Sequence, residues 1–213
     1  TYTIEREEIA GGTVWLHDMT LIRADSREIE AEALDARLEA AMMAVLQGRA
    51  ENDGFNALVL NAGMPWRDVT LVRTLARYLR QAAIPYSQDY LWATANRHPK
   101  IASDLVALFH ARFDPRDSSQ ERSAKEEEIR ARIEAALGAV QSLDEDRILR
   151  RFTNLIAAAV RTNFYQIGPD GDLRPTIAIK FESRNILDLP LPRPLFEIFV
   201  YSPRVEGVHL RFG

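Results

Sequence analysis

The feature that most constrains this chain is a change of period. Up to about residue 164 the apolar residues recur at helical spacing, and after the turn cluster Gly168-Pro169-Asp170-Gly171 they recur at every second position. Ile177, Ile179 and Phe181 alternate with Ala178, Lys180 and Glu182. Phe196, Ile198 and Val200 alternate with Glu197, Phe199 and Tyr201. Val208, Leu210 and Phe212 alternate with His209 and Arg211. Period 2 sends successive side chains to opposite faces of a sheet. Three C-terminal strands are therefore expected, joined by the proline-rich residues 187–194 and a turn at residues 202–207.

The part before the switch reads as helices. Asp25-Ser26-Arg27-Glu28 has the capping-box spacing; Ile29, Leu34, Leu38, Met42, Val45 and Leu46 follow at helical intervals, and Gly48 suits the helix end. Helices are expected over residues 55–61 and, after Gly63 and Pro65, over residues 66–81, where Val69, Val72, Leu75, Ala76 and Leu79 share a face. Ser87 caps a short helix to Asn96, and His98-Pro99 opens another that ends near Phe113-Asp114-Pro115. Residues 116–128 are the most polar stretch, read as a solvated loop running into an exposed helix start, with a regulatory loop as the alternative. Its acids suit the positive end of a helix, and Ile129, Ile133, Leu137 and Val140 continue the period. Ser142-Leu143-Asp144-Glu145 repeats the capping-box spacing, and residues 148–164 carry a broad apolar stripe. At the other end, residues 2–6 and 14–22 flank Ala10-Gly11-Gly12 as a hairpin signal. The expected class is α+β, predominantly α, with an N-terminal β-hairpin remnant, a multi-helix middle and three C-terminal β-strands.

Composition excludes more than it suggests. With 213 residues the chain can bury a sizeable core without staples, and it holds no cysteine, hence no disulfide, thiol nucleophile or cysteine metal site. The net charge of −4 gives no global attraction to nucleic acid. No apolar run approaches the roughly 20 residues a membrane helix needs. Thr1 and the strand-like Leu210-Arg211-Phe212-Gly213 suggest that both ends are cuts in a longer protein.

Candidate chemistry is sparse. His17, His98, His110 and His209 show no metal-ligand spacing, so no metal site is expected. His17-Asp18 reads as a polar tip at a strand edge or as half of an acid/base pair. Glu51-Asn52-Asp53-Gly54 faintly resembles a calcium loop but lacks its ligand pattern, and reads as a turn between helices. Ser202-Pro203-Arg204 belongs to no Ser/His/Asp arrangement. The glycines never form a phosphate-binding loop, which leaves no dinucleotide site to assign. No catalytic residue is expected in this chain. His209 and Arg211 share a sheet face opposite Val208 and Leu210, so they are the one substrate-binding candidate: a permanent cation beside a group that titrates near neutrality suits an anion. The alternative is a face covered by solvent or by further chain.

Four segments resemble the large-subunit class of bacterial NAD-specific glutamate dehydrogenase: VWLHDMTL at residues 14–21, ENDGFNALVLNAGMPWRDVTLVRTLARYLRQ at 51–81, SLDEDRILRRFTNLIAAAVRTNFYQ at 142–166, and LPRPLFEIFVYSPRVEGVHLRFG at 191–213. Met64-Pro65 and Asp68 depart from the pattern at a helix start, where proline and an acid are tolerated. The resemblance implies that residues 1–24 end an ACT-like domain, that 25–166 form a helical connector, and that 167–213 open the substrate-binding half of the catalytic region. It implies a cytoplasmic homo-oligomeric parent that oxidises L-glutamate to 2-oxoglutarate and ammonia, with NAD, substrate motif and catalytic groups all held downstream. On that reading this chain partners the rest of its own polypeptide, with no nucleic acid and no membrane. A non-catalytic regulatory or oligomerisation module is the competing expectation.

Overall fold

The computed structural model describes residues 2–9, 12–19, 31–169 and 171–212. The expected capping box at residues 25–28 and the end of the expected second strand lie outside them. Two compact units divide between residues 34 and 35.

In the first unit, β1 (Tyr2–Ile9) and β2 (Gly12–Met19) pair antiparallel, from Tyr2 opposite Met19 to Ile9 opposite Gly12. Arg6 faces Trp15 across the pair and lays its guanidinium 5.7 Å from the indole centre. Val14, Trp15 and Leu16 are exposed.

The second unit is mostly helical. Helix α1 (Ala31–Leu46) ends as its glycine predicts: Gly48 sits at φ 68°, and Arg49 N–H donates to the Ala44 carbonyl at 2.7 Å. A single 3-10 turn (Gly54–Ala57), with Asp53 accepting from Phe55 N–H, leads into the short α2 (Leu58–Asn61). Then come α3 (Trp66–Gln81), α4 (Gln88–Arg97), α5 (Pro99–Phe113), α6 (Ser119–Leu137) and α7 (Leu143–Ala158).

Serines start three of these helices, two of them where the spacing predicts. Ser87 accepts from Tyr90 N–H, and Ser142 from Glu145 N–H. At Ser118 the capping box is complete, so the helix start expected within residues 116–128 comes early, at Ser119. Glu145 does not close a box at α7; its carboxylate turns away to Arg97 and His98.

The sheet holds one strand more than the alternation reveals. Residues 148–164 do not form one helix: α7 stops at Ala158, and β3 (Ala159–Thr162) follows without a loop. At Ala159 the backbone swings to φ −70°, ψ 133°, and the strand pairs antiparallel with β4 (Ile177–Glu182) across a bulge between Ala159 and Arg161. Those backbone groups gain ladder partners that a lengthened helix would have denied to the edge of β4. β5 (Phe196–Ser202) and β6 (Val205–Arg211) complete the antiparallel order β3-β4-β5-β6. The linker between β4 and β5 passes through a cis Leu191–Pro192 bond. The class is α+β and mostly helical.

Helices cover one face of this sheet. Tyr78 of α3, fully buried, stacks 4.5 Å from the Phe181 ring and meets Phe199 edge-on at 5.5 Å. Ile148, Phe152, Leu155 and Ile156 of α7 belong to the same continuous core as Ile177, Ile179 and Tyr201. Each fully buried Leu, Ile or Phe here contributes about 1.5–3 kcal/mol, so α3, α7 and the sheet are held mainly by this layer.

Candidate functional site: the two faces of the C-terminal sheet

The outer face of the sheet carries the sequence candidates. His209 lies opposite Ile198, and Arg211 opposite Phe196, while Lys180 lies opposite both Ile198 and Arg161. His209 and Arg211 are exposed. The structure thus brings both onto one surface with Lys180 and Arg161. The Lys180 ammonium sits 3.7 Å from the Phe196 ring centre, a cation–π contact.

This face is not simply polar. Phe196, Ile198 and Val200 all point to it and are only partly covered, so β5 is apolar on both sides, the pattern of a strand meant for burial on both faces. Glu182, the acid of this face on β4, is engaged by Arg184 and by Asn185 at 2.7 Å. The surface therefore suits an anionic or partly apolar cover.

The inner face holds polar groups that sequence reasoning missed. Glu197 lies on the helix side of β5, 6% exposed, and accepts from the Tyr78 hydroxyl at 2.6 Å across 119 residues of sequence. Burial first, and then the adjacent Glu197, push the Tyr78 phenol far above its ordinary pKa, so it keeps its proton and donates. One turn earlier on α3, Arg73 is fully buried and clamps Asp53 through two bonds of 2.7 and 2.8 Å, with a third to Asn56 Oδ1 at 2.7 Å. Glu51 links outward to Arg77 and accepts from the Tyr201 hydroxyl at 2.8 Å, while Glu206 of β6 joins Arg80 and, at 3.1 Å, Gln81. Glu51 and Asp53, the acids of the faint calcium-loop pattern, are thus committed to arginines and a phenol. The missed signal was available in one place: Glu197 is in phase with Phe199 and Tyr201, an acid riding on an aromatic face.

Two histidines are held in hydrogen-bonded chains. His98 Nε2 lies 2.7 Å from Glu145, whose carboxylate also meets Arg97. Burial first, then the Arg97 cation, lowers the His98 pKa, and a neutral ring must donate Nε2–H to an ionised acceptor. His110 spans Asp68 at 3.0 Å and the Tyr165 hydroxyl at 2.5 Å. That order resembles a nucleophile relay, but burial raises the Tyr165 pKa rather than lowering it, so the phenol is no activated nucleophile. The side chain of His17 lies outside the described residues. Among the described residues no three His, Cys, Asp or Glu converge on a metal position. The described sheet also does not fit a dinucleotide: its strands are all antiparallel, and none leads through a glycine-rich turn into a helix. No helix of the described residues is long and apolar enough to cross a membrane.

Two family descriptions match this chain. Residues 50–115 match "Glutamate dehydrogenase, helical motif 3", and residues 132–213 match "Bacterial NAD-glutamate dehydrogenase, catalytic domain". Three curated proteins named NAD-specific glutamate dehydrogenase are similar over most of the chain. The Pseudomonas aeruginosa protein is 43% identical over 95% of this chain and the Halomonas elongata protein 40% over 97%; each match covers 13% of the relative. The Mycobacterium tuberculosis protein is 46% identical over 86% of this chain and 11% of its own length. The chain thus spans about an eighth of the length of the relatives it matches. On these matches, which extend over both the helical layer and the sheet it supports, the chain belongs to the bacterial NAD-specific glutamate dehydrogenase family.

Proposed function

We propose that this chain is the mount for the substrate-side sheet of an NAD-dependent glutamate dehydrogenase. The parent converts L-glutamate, NAD+ and water to 2-oxoglutarate, ammonia and NADH; this segment supplies rigidity and no reacting group. The observation that carries the reading is the buried Tyr78–Glu197 bond. It ties the helical-motif segment to the catalytic-domain segment inside one compact unit. Positioning a site on a rigid, hydrogen-bonded layer is what accurate geometry needs.

On this proposal residues 1–24 end an ACT-like domain, residues 25–166 are the connector and residues 167–213 open the catalytic region. The antiparallel β1–β2 pair supports the first boundary; the second is drawn at the turn cluster before β4, whereas the match to the catalytic-domain description begins at residue 132 and the sheet at Ala159. NAD binds in the remainder of the parent, a cytoplasmic homo-oligomer. His209 and Arg211 face either anionic substrate or the chain that encloses it, supported by their place on a cationic sheet face.

The test uses the full-length enzyme with Tyr78→Phe. Activity should fall in step with thermal stability, and the pH profile of kcat should keep its shape. A shifted pH profile at unchanged stability would mean that Glu197 acts chemically. The 213-residue chain alone should neither bind NAD nor turn over glutamate; saturable turnover by it would overturn the assignment.

A second reading, an oligomerisation contact, is favoured by α1. Met42, Met43 and Leu46 are exposed there, Leu46 at 76%, beside a groove lined by Leu38, Val45 and Val59. Met42→Glu with Leu46→Glu should lower the mass seen by light scattering if this is a subunit contact; an unchanged mass removes the reading.

A further inference from the structure

A cavity of about 390 Å³ opens between the first turn of α3 and the segment leading to β4. Arg49, Trp66, Arg67, Asp172, Leu173 and Pro175 line it. Its floor is aromatic and aliphatic, and its charged lining is two guanidinium groups against the one carboxylate of Asp172, a net positive charge. Arg49 lies over the Trp66 indole at 5.4 Å, and Arg67 over the Phe164 ring at 4.9 Å.

Arg67 is the unusual member. It is 8% exposed, and its Nε is buried with no hydrogen-bond partner. Among the described residues its guanidinium makes one hydrogen bond, from Nη2 to the Phe164 carbonyl at 3.2 Å, and it forms no ion pair. Elsewhere in this fold a buried arginine is matched: Arg73 has Asp53 on two sides. Burying a guanidinium without an anion is costly, and removal from water depresses its pKa despite the neighbouring Asp68.

The same place is the positive end of a helix. Trp66 and Arg67 are the first residues of α3, Pro65 offers no side-chain cap, and the intrahelical bonds to the Pro65 carbonyl begin only at Asp68 N–H and Val69 N–H. The backbone N–H groups of Trp66 and Arg67 thus have no partner inside the helix, and the dipole adds to the arginines' field.

We propose that this cavity is a binding site for a small anion with a flat or apolar body. A carboxylate or phosphate would take the charge of Arg67 and Arg49 at the start of α3, and the body would rest on Trp66, Leu173 and Pro175. This site lies apart from the sheet faces discussed above and does not depend on the function proposed for them. Its ligand would touch both the helical segment and the turn before β4.

The full chain carries its own reporter, because Trp66 lines the cavity and only Trp15 and Trp92 accompany it. The probes are benzoate, the neutral isostere benzamide, and inorganic phosphate. Benzoate should change the indole emission saturably, and benzamide should not. Phosphate competing with benzoate would place phosphate esters in the ligand class; failure to compete would restrict the class to carboxylates. Arg67→Met should weaken benzoate at least tenfold. Since that residue is buried and its loss can unfold the chain, two surface variants stand beside it. Arg49→Met should weaken benzoate several-fold, and Leu173→Glu, which sets a like charge at the rim, should abolish binding while leaving the melting temperature unchanged. Equal binding of benzoate and benzamide, or full benzoate affinity in folded Leu173→Glu, would overturn the site.

Discussion

Replacing Tyr78 by Phe removes one oxygen atom from the centre of the second unit. The ring would stay against Phe181 and Phe199, so packing is conserved, and the change isolates the 2.6 Å bond to Glu197. Glu197 is 6% exposed, and water is poorly placed to take over from the phenol. A hydrogen bond to a charged group contributes about 1.5–3 kcal/mol, and stranding a buried acceptor costs about as much. We therefore expect Tyr78→Phe to lose about 2–3 kcal/mol in urea unfolding of the chain. For a domain of this size that is a fall of roughly 4–12 °C in melting temperature. Glu197→Leu strands the phenol hydroxyl instead and should cost about 1–3 kcal/mol. With both changed nothing polar is left unpaired, and the double variant should be more stable than the sum of the singles implies by about 1.5–2 kcal/mol. A Tyr78→Phe loss within about 0.5 kcal/mol of zero, or strictly additive singles, would refute the argument that this bond joins the two layers.

Other perturbations test neighbouring parts of the same reasoning. Arg73→Met removes a fully buried guanidinium and its two bonds to the partly exposed Asp53, and should destabilise by about 1.5–3 kcal/mol in thermal melts. A Cβ at Gly54 would overlap the Trp92 indole, so Gly54→Ala should cost about 1–3 kcal/mol. Gly207→Ala, in open space on β6, should change stability by less than about 0.5 kcal/mol. Because the folded chain holds His98 below its ordinary pKa of 6.5, the unfolded chain binds that proton more tightly. Stability should be complete above about pH 6.5 and decline as pH falls through the window between that value and the folded one; His98→Gln should flatten this slope in melts run across that range.

Most elements were legible because they rest on local signals. Ser87 and Ser142 cap their helices through their own neighbours, and Gly48 supplies the left-handed residue that α1 needs to end. β3 was not legible. Ala159 and Val160 continue the apolar stripe of α7 past Ala158, and only pairing with a strand some twenty residues away changes their conformation. The inner polar layer was hidden for a related reason. Glu197 sits on an aromatic face and Arg73 in a mixed run of α3 beside Thr70 and Arg77, and the partners that make their burial tolerable, Tyr78 and Asp53, come from distant sequence. His209 and Arg211 were placed correctly opposite Val208 and Leu210. The apolar character of their own face, from Phe196, Ile198 and Val200, depends on the register with β5 and could not be read from β6 alone.

The direct passage from α7 into β3 carries a consequence for how this chain can vary in length. One residue inserted between Ala158 and Ala159 would either rotate the apolar stripe of α7 by about 100° or turn every side chain of β3 to the opposite side. By contrast, at the turn before β4 Gly168 N–H donates to the Asp172 carbonyl at 2.7 Å, and Pro169, Gly171 and Asp172 are exposed. Relatives should therefore differ freely in length at that turn, whereas the junction tolerates changes of identity but not of number.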